Sequence, residues 1–205
     1  MKHHYSIIIF LIISFYSCKK DSNTSITISG VVADKNTNVP IAFAEVDLIE
    51  YGGGFLGGSS SSTLQRMYAD AIGRFTFFNV NINSEKTYIV LGYKNLYFND
   101  GNNTADVNIN QPNVVVPMQP MAWLKLHVKD TSPYDKFDYI SFSSPWGGGA
   151  GPFNGVNVDT ILFAQVYGNE NTIIFAFITK NGIKSTVSKN IICPAFDTTL
   201  YNLNY

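Results

Sequence analysis

The stretch "SITISGVVAD", residues 25–34, followed by "IAFAEVDLIEY", residues 41–51, decides the fold class. Apolar and polar side chains alternate in the first stretch, and β-branched residues dominate it. The second alternates again, with Ile41, Phe43 and Val46 to Leu48 at the apolar positions between Glu45, Asp47 and Glu50. A period of two is the mark of a half-buried strand. The pattern continues through "GRFTFFNV" (73–80) and "KTYIVLGY" (86–93). Asn36-Thr37-Asn38, Ala71-Ile72-Gly73 and Asn81-Ile82-Asn83 punctuate these runs as turns. No stretch shows a sustained helical period with start and stop signals. Many short strands at close spacing imply a sandwich or barrel, not a βαβ fold.

The order of these features carries a resemblance. Gly30-Val31-Val32, then Pro40 with Ala44-Glu45-Val46, then Gly73-Arg74-Phe75, then Gly92-Tyr93 resemble the carboxypeptidase regulatory-like domain. That family is a transthyretin-like, immunoglobulin-like β-sandwich found in bacterial surface proteins. The resemblance covers about the first half of the mature chain, and its motifs are structural rather than chemical. Asn36-Thr37-Asn38 stands where the family usually has a Thr-Gly turn. "GGGFLGGSSSSTLQRM" (52–67) replaces a short hairpin, and reads as a long Gly/Ser insertion, either functional or disordered.

Near Pro117-Met118-Gln119-Pro120 two prolines interrupt the strand pattern. Beyond them "MAWLKLHVKD" (121–130) sends Leu124, Leu126 and Val128 one way and Trp123, Lys125, His127 and Lys129 the other. Asn181-Gly182, between two apolar runs, is the signature of a type I′ hairpin. The expected fold is all-β: two tandem antiparallel β-sandwiches, Ig-like or prealbumin-like, with the first over 26–116 and a smaller one over 117–205.

The N-terminus has a different texture. Lys2 precedes an unbroken apolar run from Ile7 to Ile13, and "FYSCKKD" (15–21) follows. A short charged start, an apolar core and a small residue before the cut are the parts of a secretory signal. The run is too short to span a bilayer. Phe15-Tyr16-Ser17-Cys18 resembles the lipobox of bacterial lipoproteins, although Leu is commoner at the Phe15 position and a small residue at Tyr16. The resemblance implies a signal peptide over 1–17, lipid attachment at Cys18, and a tether over 18–25. Lys19 in place of Asp resembles the outer-membrane sorting pattern. A disulfide from Cys18 to Cys193 is the competing reading in an oxidising compartment.

Composition narrows function by exclusion. Charged residues are 14% of the chain against roughly 25% in an average soluble protein. The formal net charge is −1, and no basic run exists to hold nucleic acid. His3 and His4 lie in the signal segment, which leaves His127 alone for histidine chemistry. A triad or a zinc site needs more. The Gly-rich stretches lack the Lys-Ser/Thr ending of a P-loop. In "FNDGNNTADVN" (98–108), Asp100, Asn102 and Asp106 supply oxygen atoms that suit calcium. Asn, Asp and Gly are equally the ordinary composition of a turn. In "SSPWGGGAGPFNG" (143–155), Trp146 and Phe153 read either as a sugar-stacking pair or as a cap on the sandwich. No two carboxylates form a recognisable glycoside-hydrolysis pair. An enzyme would require Asp135, Asp138 or Asp159 to converge in one cleft. The expectation is a non-catalytic envelope lipoprotein without a cofactor, contacting a partner protein. The alternative is a glycan-binding accessory for surface nutrient capture.

Overall fold

In the computed structural model the described residues are 24–53, 59–99, 101–108, 113–146 and 149–205. They form fourteen strands in two sandwiches. The first sandwich contains β1 (Thr24–Asp34), β2 (Glu45–Gly53), β3 (Ser59–Tyr68), β4 (Arg74–Ile82), β5 (Thr87–Tyr93), β6 (Thr104–Asp106) and β7 (Asn113–Met118). The second contains β8 (Met121–Lys129), β9 (Tyr139–Ser144), β10 (Ala150–Asn154), β11 (Asp159–Tyr167), β12 (Asn171–Lys180), β13 (Ile183–Ile192) and β14 (Thr198–Asn204).

The two sandwiches are wired identically. One sheet of the first has the order β4-β1-β7 and the other β3-β2-β5-β6; in the second the orders are β11-β8-β14 and β10-β9-β12-β13. Numbered within its own half, each is 4-1-7 over 3-2-5-6. Pairing is antiparallel except where the first and last strands of each half lie side by side, β1 with β7 and β8 with β14. Each half thereby closes on itself, and each has its own core. Ile28, Val32, Leu48, Phe77 and Val90 lie in one; Leu124, Leu126, Ile140, Ile174 and Cys193 lie in the other. Each such aliphatic or aromatic side chain contributes about 1.5–3 kcal/mol on burial.

The alternation in β8 appears as a strict inside–outside pattern. Asn181 (φ 50°) and Gly182 (φ 76°) are both left-handed, as a type I′ turn between β12 and β13 requires. Three of the motif glycines are points of close approach. The ring of Phe75 and the carbonyl of Val114 press on Gly30 from either side. Gly73 has φ +73° and accepts a hydrogen bond from Val32 N–H at 2.8 Å. Met118 Sδ packs on Gly92.

Two expectations change. Residues 59–67 of the Gly/Ser stretch are strand, not loop: β3 pairs along the whole of β2. Arg66 fixes it there by a two-pronged bond to the buried Asp47, at 2.7 and 2.6 Å. Residues 54–58 lie outside the described set. Phe43, expected at a buried strand position, sits instead in a turn before β2 and is 61% exposed.

Candidate functional site

Only residues 119 and 120 separate β7 from β8. β1 and β7 run toward this joint and β8 and β14 run with β8 away from it, so the halves stand end to end. The joint is closed by backbone bonds in both directions. Gly168 N–H donates to Pro120 O at 2.8 Å, Met121 N–H to Leu96 O at 2.9 Å, and Phe196 N–H to Met121 O at 2.7 Å. The Asn36 amide donates to Gly168 O at 2.7 Å. Tyr97 meets Phe196 and Phe98 meets Tyr167 edge to face, with centroids 5.3 and 4.7 Å apart. Lys35 pairs with Glu170 at 3.2 Å.

A hollow of about 540 Å³ opens beside this joint, walled by Val39, Leu96, Tyr97, Asn169 and Phe196. A second, of about 420 Å³, adjoins it along Phe43, Tyr68 and Tyr93; Lys94 and Asn95 line both. Backbone strain is concentrated here. Eight described non-glycine residues have φ in the left-handed region, and five are asparagines, which tolerate it. The other three are Phe43 (φ 55°), Leu96 (φ 69°) and Phe196 (φ 64°). All three line these hollows and remain 61%, 43% and 44% exposed. A left-handed bulky residue costs about 1–2 kcal/mol. The burial gained by such exposed side chains offsets little of it.

The polar groups of the hollow are aimed by their neighbours. Asp34 Oδ1 accepts from Asn36 N–H, Thr37 N–H and the Thr37 hydroxyl, and Oδ2 from the Tyr97 hydroxyl at 3.4 Å. Burial, and then the Asp34 charge, push the Tyr97 phenol up to about 12. Lys94 Nζ donates to Ala42 O at 2.9 Å and Phe43 O at 3.3 Å, and it has no carboxylate partner among the described residues. Asn95 Oδ1 is taken by Leu96 N–H and Asn169 Oδ1 by Ala195 N–H.

A charged cluster occupies the far end of the second sandwich. Lys180, the last residue of β12, donates to Asp130, to Thr131 O at 2.6 Å and to Asp138 Oδ2 at 2.8 Å. Both carboxylates are fully buried. Burial alone would raise the Asp138 carboxyl. The bonds from Lys180 and from the backbone of Asn181 and Asp135 outweigh it and hold the group below the usual range. Burial would lower Lys180, and its bonds to Asp130 and Asp138 raise it. Tyr205, whose ring lies 5.7 Å from Lys180 Nζ, is pushed up to about 12 by burial and by Asp130.

The residues singled out from sequence are distributed as follows. Trp146 is half-buried against Phe142, ring centroids 5.3 Å apart, and its indole N–H donates to Phe163 O at 2.9 Å. Phe153 also packs on the second core. Asp106 is exposed in β6; Asp100 lies outside the described residues, as does the side chain of Asn102. Among the described residues no three His, Cys, Asp or Glu side chains group closely enough for a metal ion. Cys18 lies outside the described residues; Cys193 is buried with a free thiol. Asp135 and Asp138 share a loop, but Asp159 is directed elsewhere. Its carboxylate meets His127 Nε2 at 2.6 Å on the outer face of β8, and that bond, against the burial that opposes it, lowers its pKa. The other ring nitrogen of His127 is 3.2 Å from Asn202. The joint and the lysine cluster escaped the sequence reading, since each gathers side chains from loops far apart in the chain.

No family model matches the chain, and no curated protein matches it. Solved structures resemble it in part. A streptococcal ancillary pilin is 11% identical with a TM-score of 0.40, over 88% of this chain and 62% of its own. The chain therefore spans less than two thirds of that protein. GBS52, the minor pilin of Streptococcus agalactiae, is 10% identical with a TM-score of 0.39, over 87% of this chain and 94% of its own. The shaft pilin SpaA of Lactobacillus rhamnosus GG is 9% identical with a TM-score of 0.33, over 88% and 97%. Likeness at this level carries no information on what the chain binds or does.

Proposed function

We propose that this chain is a non-catalytic module of the bacterial cell envelope. It is held at the outer membrane by acyl chains on Cys18 and built as a two-segment stalk that contacts an envelope partner. The observation that carries the stalk reading is the joint, where a two-residue connection is bonded from both sides and places the halves end to end. Cys18 precedes Thr24 by six residues, so the attachment point lies within about 20 Å of the start of β1. Membrane and far tip are then at opposite ends of the molecule. Acyl burial at about 0.8 kcal/mol per methylene holds a protein of this size when two or three chains are present. The side chains best suited to acid–base work support the same reading. Asp138 is held by Lys180 and two backbone N–H groups, and Asp47 by Arg66.

The anchor has its own test. Cells fed a fatty-acid analogue should label the wild-type protein and leave Cys18→Ser unlabelled and in the soluble fraction. Equal labelling of the two refutes the anchor.

A further inference from the structure

The outer face of the sheet β10-β9-β12-β13 carries a narrow apolar stripe. Residues of β12 alternate, so Ile174, Ala176 and Ile178 enter the second core while Ile173, Phe175 and Phe177 point away from it. Ile173 and Phe177 stay 49% and 47% exposed. Phe175 and Phe177 meet edge to face, ring centroids 5.2 Å apart. Register sets what flanks them. On one side β9 places Ser144 beside Phe175, Ser141 beside Phe177 and Tyr139 beside Thr179. On the other, β13 places Asn190, Ser188 and Thr186 beside Ile173, Phe175 and Phe177. An apolar column one strand wide thus runs between two columns of hydroxyl and amide groups. A hollow of about 660 Å³ opens at its Phe177 end, beside Tyr139, Lys184 and Thr186.

Charge and width narrow the occupant. β9, β10, β12 and β13 contain no aspartate or glutamate. Lys184 is the one cation these strands place on the outer face; Lys189 has the opposite parity, paired with the buried Ile174. At the same end, Lys180 sits with the buried Asp130 and Asp138, one positive charge against two negative. Asp135 and Lys136, on the loop before β9, add one charge of each sign. Lys184 offsets the cluster, so neither an anion nor a cation is the complement of this face. The stripe is about 5 Å wide, the spacing of neighbouring strands, and about 13 Å long from Ile173 to Phe177. A stable protein interface covers roughly 800 Å² on each partner, many times that area. A chain of sugar rings has the right proportions, with apolar C–H faces and a rim of hydroxyls. The side chains of Thr186, Ser188 and Asn190 make no hydrogen bond among the described residues, which leaves them free for such a rim. We propose that this stripe binds a neutral oligosaccharide, a chain of uncharged pyranoses lying along β12. Its ring faces rest on Phe177 and Phe175, and its hydroxyls bond to Thr186, Ser188 and Asn190. The Cys18 anchor is read out by labelling and this site by binding, so either stands if the other fails.

The test is an array of neutral glucose-, mannose-, galactose- and xylose-based oligosaccharides, with uronate-bearing chains as controls. The wild-type protein should bind one neutral series above the controls. Phe177→Thr removes the ring and keeps a residue suited to a strand; it should weaken binding by about tenfold or more. Thr186→Val keeps the side-chain shape and removes the hydroxyl, and should weaken binding by about threefold or more. A purely apolar docking surface would instead be strengthened by that change. Phe163→Thr, at a comparably exposed ring on the outer face of β11, should leave binding unchanged. Melting temperatures of the three variants check that each is folded. Absence of binding to every neutral oligosaccharide overturns the proposal. So does tighter binding of the uronate chains, binding that Phe177→Thr or Thr186→Val leaves intact, or an equal loss in Phe163→Thr.

Discussion

Replacing Lys180 by methionine should destabilise the protein by about 3–5 kcal/mol at neutral pH and give it a loss of stability with rising pH that the wild type lacks. The aliphatic stem of methionine fills much the same space, so the loss is one of charge. Lys180 is the only cation that the described ion pairs give to Asp130 and Asp138, and both carboxylates are buried. In the wild type the Asp138 carboxyl is held below its unfolded value. Its contribution is therefore present above about pH 4 and lost as pH falls further. Lys180 is raised, so its contribution is present below about pH 10 and lost above that. Between these limits the wild type should show a plateau. Without the ammonium, burial and mutual repulsion raise at least one carboxyl above its unfolded value. Stability is then present at low pH and lost as pH rises. Urea unfolding from pH 5 to 8 checks this: the variant should weaken across the range while the wild type stays flat. A variant that parallels the wild type shows that the cluster is solvated and contributes little.

Gly30→Ala should cost at least about 3 kcal/mol, the upper range for overpacking a closed site. Gly30 lies in the middle of β1, paired with Phe75 on one side and Val114 on the other. A Cβ there would lie 2.2 Å from Val114 O and 2.6 Å from Phe75 Cζ. A flexible side-chain end could move away from a methyl group. Here one neighbour is the backbone of the parallel strand β7, and the other is a ring packed in the first core. Relief would have to part β1 from β7, the pairing that closes the sandwich. Phe75→Leu combined with Gly30→Ala should recover part of the loss, because it removes one of the two clashes. Denaturation midpoints of the two single variants and the double variant measure that coupling. A cost below 1 kcal/mol for Gly30→Ala would contradict the tight packing of β1.

These two sites differ in how far the sequence announces them. Gly30, Gly73-Arg74-Phe75 and Gly92 stand out in sequence as a recurring pattern, and the structure supplies the reason. They are the places where chain meets ring or chain meets chain. The alternation of β8 and the Asn181-Gly182 turn were equally legible, because both are local. β3 was not. Its Ser59-Ser60-Ser61-Ser62 run carries no apolar period, and most of the strand is exposed on both faces. Its strand state comes from pairing to β2, which no local window contains. Phe43 continued the apolar alternation before β2, yet the turn that joins Phe43 to Asp70 takes it out of register. Trp146 and Phe153 look in sequence like a pair of loop aromatics, and only the sheet shows both against the second core. The shared strand order of the two halves is invisible as a sequence repeat, because it resides in pairing rather than in matching residues. The joint gathers turns near residues 36, 43, 96, 168 and 196, and no local spacing rule brings those together.

The central claim is that the two sandwiches form one rigid stalk, and residual dipolar couplings of the backbone amides test it most directly. If the joint holds, one alignment tensor should fit the couplings of 24–118 and 121–205 with a common magnitude and orientation. Asn36→Ala, which removes the side-chain bond to Gly168 O across the joint, should loosen their coupling. Two wild-type tensors of different magnitude would mean that the halves move independently, and the stalk reading would be contradicted.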